Sequence, residues 1–129
     1  LVCGSNLGIY APLSNSSYSP DVTVIEGASQ EYELKRKKTT KVILNPYIVV
    51  EVLSDGTKDF DNFGKLDNYM AIPSVHYILY VEQKERRVRL FRRPKNGNEW
   101  LLRSANQAEE SIEIEEKSIF LSDIYRKTS

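Results

Sequence analysis

The chain has 129 residues, 40% hydrophobic and 28% charged, with a formal net charge of zero; this is the make-up of one globular domain spanning 1–129, not of a disordered or fibrous chain. No apolar run approaches the ~18 residues of a membrane helix, and nothing resembles a signal peptide, so no membrane association is expected. One cysteine, Cys3, and one histidine, His76, exclude an internal disulfide, a cysteine-built zinc site and a multi-histidine centre.

Any metal would therefore be held by carboxylates, which favours hard cations such as Mg²⁺ or Mn²⁺. The lone cysteine suits a reducing cytoplasm. Charge is unevenly spread. Residues 1–34 contain no Lys or Arg, whereas Lys35-Arg36-Lys37-Lys38 with Lys41, and the segment from Lys84 to Lys95 with Arg87 and Arg89, are basic. Such runs suit phosphate contacts, and equally suit solvated loops and hairpin ends.

In chain order, residues 4–19 are rich in Ser, Asn, Gly, Pro and Tyr and read as loops or a loose edge strand. Asp21-Val22-Thr23-Val24-Ile25, entered through Pro20 and stopped by Gly27, reads as a strand. Residues 28–41 are polar and basic and read as a mobile loop. Tyr47-Ile48-Val49-Val50-Glu51-Val52-Leu53-Ser54 is nearly continuous in apolar and β-branched residues, the pattern of a buried central strand. Glu51 is its anomaly, because an unpaired carboxylate in an apolar setting costs several kcal/mol.

A helix is expected from Phe60 to Ala71, ended by Ile72-Pro73, and a strand over His76–Val81. Strand, helix and strand at this spacing make a βαβ unit with parallel strands. Arg87–Arg92 alternates, Pro94–Asn98 turns, and Trp100–Arg103 returns as an antiparallel hairpin. Ser111–Glu115 alternates again, and Ile119–Tyr125 reads as a closing turn and short helix.

Two parallel-type strands carrying Asp21 and Glu51 near their ends would set two carboxylates side by side if they pair. Adjacent carboxylates repel, and a divalent cation between them removes that cost while activating water and polarising a phosphoryl oxygen. On spacing alone the plainer reading is favoured, with Asp21 a turn residue after Pro20 and Glu51 an edge-facing strand residue. Asp61, Lys65 and Tyr69 fall at i, i+4 and i+8 on one helical stripe. Facing the strand ends, Lys65 would bring an ammonium to the carboxylates; facing solvent, Asp61 and Lys65 would be an ordinary ion pair.

The ordered set Tyr18-Ser19-Pro20-Asp21, Asn45-Pro46, Ile48-Val49-Val50-Glu51-Val52-Leu53-Ser54, Asp61-x-x-x-Lys65-x-x-x-Tyr69 and Tyr77-Ile78-Leu79 resembles the Uma-two family. That family belongs to the restriction-endonuclease-like PD-(D/E)xK superfamily, often described only as a domain of unknown function. The resemblance covers about residues 18 to 125.

It implies an α/β (α+β) restriction-endonuclease-like mixed sheet with one central βαβ unit and a C-terminal antiparallel hairpin. It implies a Mg²⁺- or Mn²⁺-dependent DNA endonuclease, with Asp21, Glu51 and Lys65 catalytic. The metal ligands would be Asp21, Glu51 and the backbone carbonyl of Val52, supported by Asp61 and Tyr69. DNA would be contacted by Lys35, Arg36, Lys37, Lys38, Arg87 and Arg89. The superfamily's lysine two residues after the glutamate is replaced by Leu53, and Lys65 would take its part from the helix.

The resemblance further implies that the chain starts after the family's N-terminal helix. A sheet edge exposed by that loss would favour a homo-oligomer such as a dimer. The competing reading is a non-catalytic restriction-like module for nucleic-acid binding or protein assembly.

Overall fold

Short β-branched and aromatic runs, cut by Gly, Pro and Asn turns, build a structure made mostly of strands. The computed structural model describes residues 2–3, 8–35, 39–54 and 64–126. First come β1 (Val2–Cys3), β2 (Gly8–Ala11), β3 (Ser16–Tyr18) and β4 (Val22–Ile25). Next are β5 (Glu31–Leu34), β6 (Thr40–Ile43) and β7 (Pro46–Leu53). Helix α1 (Lys65–Met70) precedes β8 (Tyr77–Glu82), β9 (Arg87–Arg92) and β10 (Leu101–Ala105). Strands β11 (Ser111–Ile114) and β12 (Lys117–Phe120) lead into α2 (Leu121–Ile124).

A six-stranded sheet has the order β1-β4-β7-β8-β9-β10. Its centre is the parallel pair β7–β8, with Val49 opposite Ile78 and Glu51 opposite Tyr80. The expected βαβ unit is therefore present, because a parallel return requires a crossover and α1 lies within it. Antiparallel β8–β9 and β9–β10 pairs extend the sheet, and the expected hairpin is the second of these.

A second sheet has the order β3-β2-β6-β5, and β11 and β12 form a third of two strands. The second sheet extends one expectation, of an edge strand within residues 4–19, and corrects another. Residues 4–19 supply β2 and β3, and the segment read as a mobile loop supplies most of an antiparallel β5–β6 hairpin. The helix expected from Phe60 is described from Lys65, with Ala71 as its C-cap. The part of that expectation falling on 60–63 lies outside the described residues.

The six-stranded sheet is covered on both faces. On one lie Val49, Leu53, Ile78, Tyr80 and Phe91, packed with Ile9 and Ile43 of the second sheet and with Tyr69, Ile72 and Val75 from the crossover. On the other, Tyr77, Leu79, Val88 and Leu90 pack with Ile112 and Leu121. A strand buried on both faces needs apolar residues at every position, which accounts for the near-continuous run in β7. Among the described residues no helix is long and apolar enough to cross a membrane.

Candidate active site

Alternation along β7 sends Val49, Glu51 and Leu53 to the same buried face, and Glu51 is only 7% exposed. A carboxylate so placed needs partners, since desolvating it alone costs several kcal/mol. Both partners come from α1. The Lys65 ammonium lies 3.2 Å from Glu51 Oε2. The Tyr69 hydroxyl donates to the same oxygen at 2.5 Å. Residues at i and i+4 share a helical face, so one stripe of α1 serves one carboxylate oxygen. Burial, and then the charge of Glu51, pushes the Tyr69 phenol far above its usual range. The hydroxyl therefore keeps its proton and acts as a donor.

The chain enters α1 through Gly64 with φ of 70°, a left-handed conformation that glycine adopts without strain. Asn68, buried on the helix, donates from Nδ2 to the Gly64 carbonyl at 2.9 Å. Its Oδ1 accepts from Ser14 Oγ at 2.8 Å. The Tyr18 ring meets the Tyr69 ring edge-on, with centroids 5.6 Å apart. The β2–β3 hairpin thus holds α1 from above while the carboxylate lies beneath it. Ser14 and Asn68 carry no signal in the sequence that would single them out.

Strand β4 runs antiparallel to β7, with Val22 opposite Val50. This corrects the expected parallel arrangement. The chain leaves β4 for the β5–β6 hairpin of the second sheet and returns at the same end, which reverses its direction. The register continued by one residue still sets Asp21 against Glu51. Asp21 itself is exposed, and its Oδ2 accepts the Val52 N–H at 2.7 Å. Carboxylate oxygens such as these are hard donors of the kind that suits Mg²⁺ or Mn²⁺. Among the described residues no group of three His, Cys, Asp or Glu side chains could hold a metal, so any further ligand would be backbone or water.

Arg87 and Arg89 lie on β9 and turn to Glu82, which is fully buried at the end of β8. Arg89 Nη1 is 3.2 Å from Glu82 Oε2, and Arg87 Nε is 3.9 Å from the same atom. Arg89 pairs across from Tyr80, which pairs across from Glu51, so this charge cluster shares the face of the candidate site. Sequence reasoning missed Glu82; its signal was a carboxylate closing an apolar strand just ahead of alternating arginines. Lys35 is exposed beyond the end of β5. Asp61, Arg36, Lys37 and Lys38 lie outside the described residues.

The family described as "Uma2: Putative restriction endonuclease" matches residues 1–118. An uncharacterized protein of Synechocystis, slr1290, is 31% identical over 118 residues, which cover 92% of this chain and 57% of that protein. The chain thus spans little more than half the length of this relative. A crystal structure described as a putative nuclease belonging to DUF820, from Anabaena variabilis, superposes with a TM-score of 0.68 at 13% identity. That superposition covers 99% of this chain and 69% of the other. The mixed α+β fold is accordingly one that this chain shares with a restriction-endonuclease-like family.

Proposed function

Because this chain belongs to the Uma2 family, we propose that it is a divalent-metal-dependent DNA endonuclease acting in the cytoplasm. The observation that supports this most is the convergence of Lys65 and Tyr69 on Glu51, with Asp21 bonded to the neighbouring Val52 N–H. Asp21, Glu51 and the carbonyl of Val52 would hold Mg²⁺ or Mn²⁺. Such an ion supplies an activated water and charge neutralisation on the phosphodiester. Lys65 offsets carboxylate charge and meets the negative charge that builds on the phosphoryl group. Tyr69 fixes the rotamer of Glu51 through its donated hydrogen bond. The basic residues Lys35 to Lys38 would contact the DNA backbone, giving affinity that falls steeply with salt, whereas Arg87 and Arg89, expected to share that role, are engaged by Glu82.

The experiment is nicking of supercoiled plasmid with Mg²⁺ or Mn²⁺ by wild type, Glu51→Ala and Lys65→Ala. Both substitutions should reduce cleavage by about 100-fold or more. Equal cleavage by wild type and Glu51→Ala ends the assignment.

One observation favours a second reading, a non-catalytic module that binds nucleic acid or protein. Glu51 Oε2 is already matched by an ammonium and a phenol within the chain itself. This reading expects duplex DNA affinity that is the same in Mg²⁺ and in chelator, with no nicking in either.

A further inference from the structure

Strand β10 is the last strand of the six-stranded sheet and is paired on one side only, to β9. Among the described residues no further backbone–backbone hydrogen bond reaches it, and the Ser104 carbonyl accepts from Arg103 Nη1 at 3.4 Å. Unlike a guarded edge, it carries exposed leucines: Leu101 is 46% and Leu102 58% exposed. An open edge with exposed apolar side chains is a template for pairing with another strand.

The residues around Leu101 select the partner. In an antiparallel pairing of β10 with a second β10 about a two-fold axis at Leu101, the register sets Leu101 against Leu101. It also sets Trp100 against Leu102 and Glu99 against Arg103, each twice. Opposed residues share a face. Trp100 packs on the cluster containing Phe91, and Leu102 lies opposite Phe91 in β9, so both belong to one face. Glu99 precedes β10, and with the strand extended to it by the pairing it would meet Arg103 as an opposite charge. Arg103 is half exposed and donates at 3.4 Å to the Ser104 and Ser111 carbonyls as well as to Glu110. Its bond to Glu110 is 3.4 Å long and half exposed, and Glu110 also accepts the Asn106 and Gln107 N–H groups at 3.0 and 2.9 Å. Leu101 lines two adjoining hollows of about 430 and 460 Å³, one of which also includes Leu90 and Arg92 and the other Pro94 and Glu99.

We infer that β10 is the homodimer interface of this protein, joining two six-stranded sheets into one continuous sheet about a two-fold axis at Leu101. The occupant is a second copy because self-pairing at this register matches both charge and apolar character. Strand pairing of this length buries less than the roughly 1,200 Å² of a standard interface, so the dimer is concentration-dependent. The axis lies three strands from Glu51, and the inference does not depend on the activity proposed above.

The test is sedimentation across a concentration series of the full chain, with circular dichroism as the folding control. Wild type should show a monomer–dimer equilibrium, and Leu101→Lys should weaken it by about 100-fold. Glu99→Arg should weaken it as well, and the combined Glu99→Arg, Arg103→Glu variant should restore it. In a Cys3→Ser background, Leu101→Cys should oxidise to a disulfide-linked dimer. Leu102→Cys should not, because its counterpart lies out of reach of a disulfide. A wild type that is monomeric throughout, a dimer indifferent to Leu101→Lys, or preferential cross-linking through Leu102→Cys overturns the inference.

Discussion

The Lys65 ammonium stands 3.2 Å from the Glu51 carboxylate, joining the first turn of a short helix to the middle of the central parallel strand pair. The lysine side chain is 30% exposed and the glutamate side chain 9%. Removing the cation therefore leaves a largely desolvated anion with one donor. Lys65→Ala should lower stability by about 1–3 kcal/mol, less than for a fully buried pair because water reaches the ammonium. Urea unfolding reads this directly. Lys65→Ala combined with Glu51→Gln should recover part of the loss, since the uncompensated charge has gone.

Tyr69 is fully buried, and its hydroxyl serves Glu51 alone among the described residues. Tyr69→Phe should cost about 1–3 kcal/mol, because a charged acceptor loses its bond while the ring keeps its packing. A thermal melt showing no change would mean that Lys65 satisfies Glu51 unaided.

Burial raises the phenols of both Tyr69 and Tyr47 above their ordinary value of 10.0, with Glu51 and Glu115 adding to the effect respectively. The folded state thus holds these protons more tightly than the unfolded chain. Their contribution is intact below about pH 10 and declines as pH rises through the folded-state values. Stability measured from pH 8 upward should fall beyond about pH 10. The fall should be shallower in Tyr69→Phe, and an unchanged slope would remove Tyr69 as a cause.

Glu82 is fully buried between Arg89 and Arg87. Glu82→Ala removes a carboxylate partner of the Arg89 guanidinium, whose side chain is 14% exposed, and should cost about 3–5 kcal/mol. Glu82→Ala combined with Arg89→Met should be markedly more stable than Glu82→Ala alone. A double-mutant cycle in denaturant measures the coupling.

Strong local signals carried the central part of the fold. The apolar continuity of Tyr47–Leu53 and Tyr77–Val81 marked β7 and β8, and the four-residue spacing of Lys65 and Tyr69 marked the helical stripe that meets Glu51. Weaker patterns were lost. In β5, Glu31, Tyr32 and Glu33 are exposed and only Leu34 is buried, so its sequence is that of a polar loop. The β11–β12 turn uses Glu115 and Glu116 at φ of 52° and 68° without the Asn or Gly that announces such a turn. The direction of β4 was hidden because it depends on where the chain travels between residues 26 and 45, not on any property of Asp21. Arg87 and Arg89 read as surface charge because the acid beneath them, Glu82, looked like the end of a strand.

The hairpin that clamps α1 makes the surroundings of Glu51 depend on a contact distant in sequence. The Ser14–Asn68 bond closes a separation of 54 residues, whereas the Tyr69–Glu51 bond closes 18. Loop closure over longer separations costs more entropy and slows folding. The β7–β9 centre of the six-stranded sheet is built from nearer neighbours, whereas the clamp on α1 depends on the distant hairpin. The partners of Glu51 itself come from the nearer closure, so the distant hairpin adds rigidity to a centre whose contacts are short in sequence.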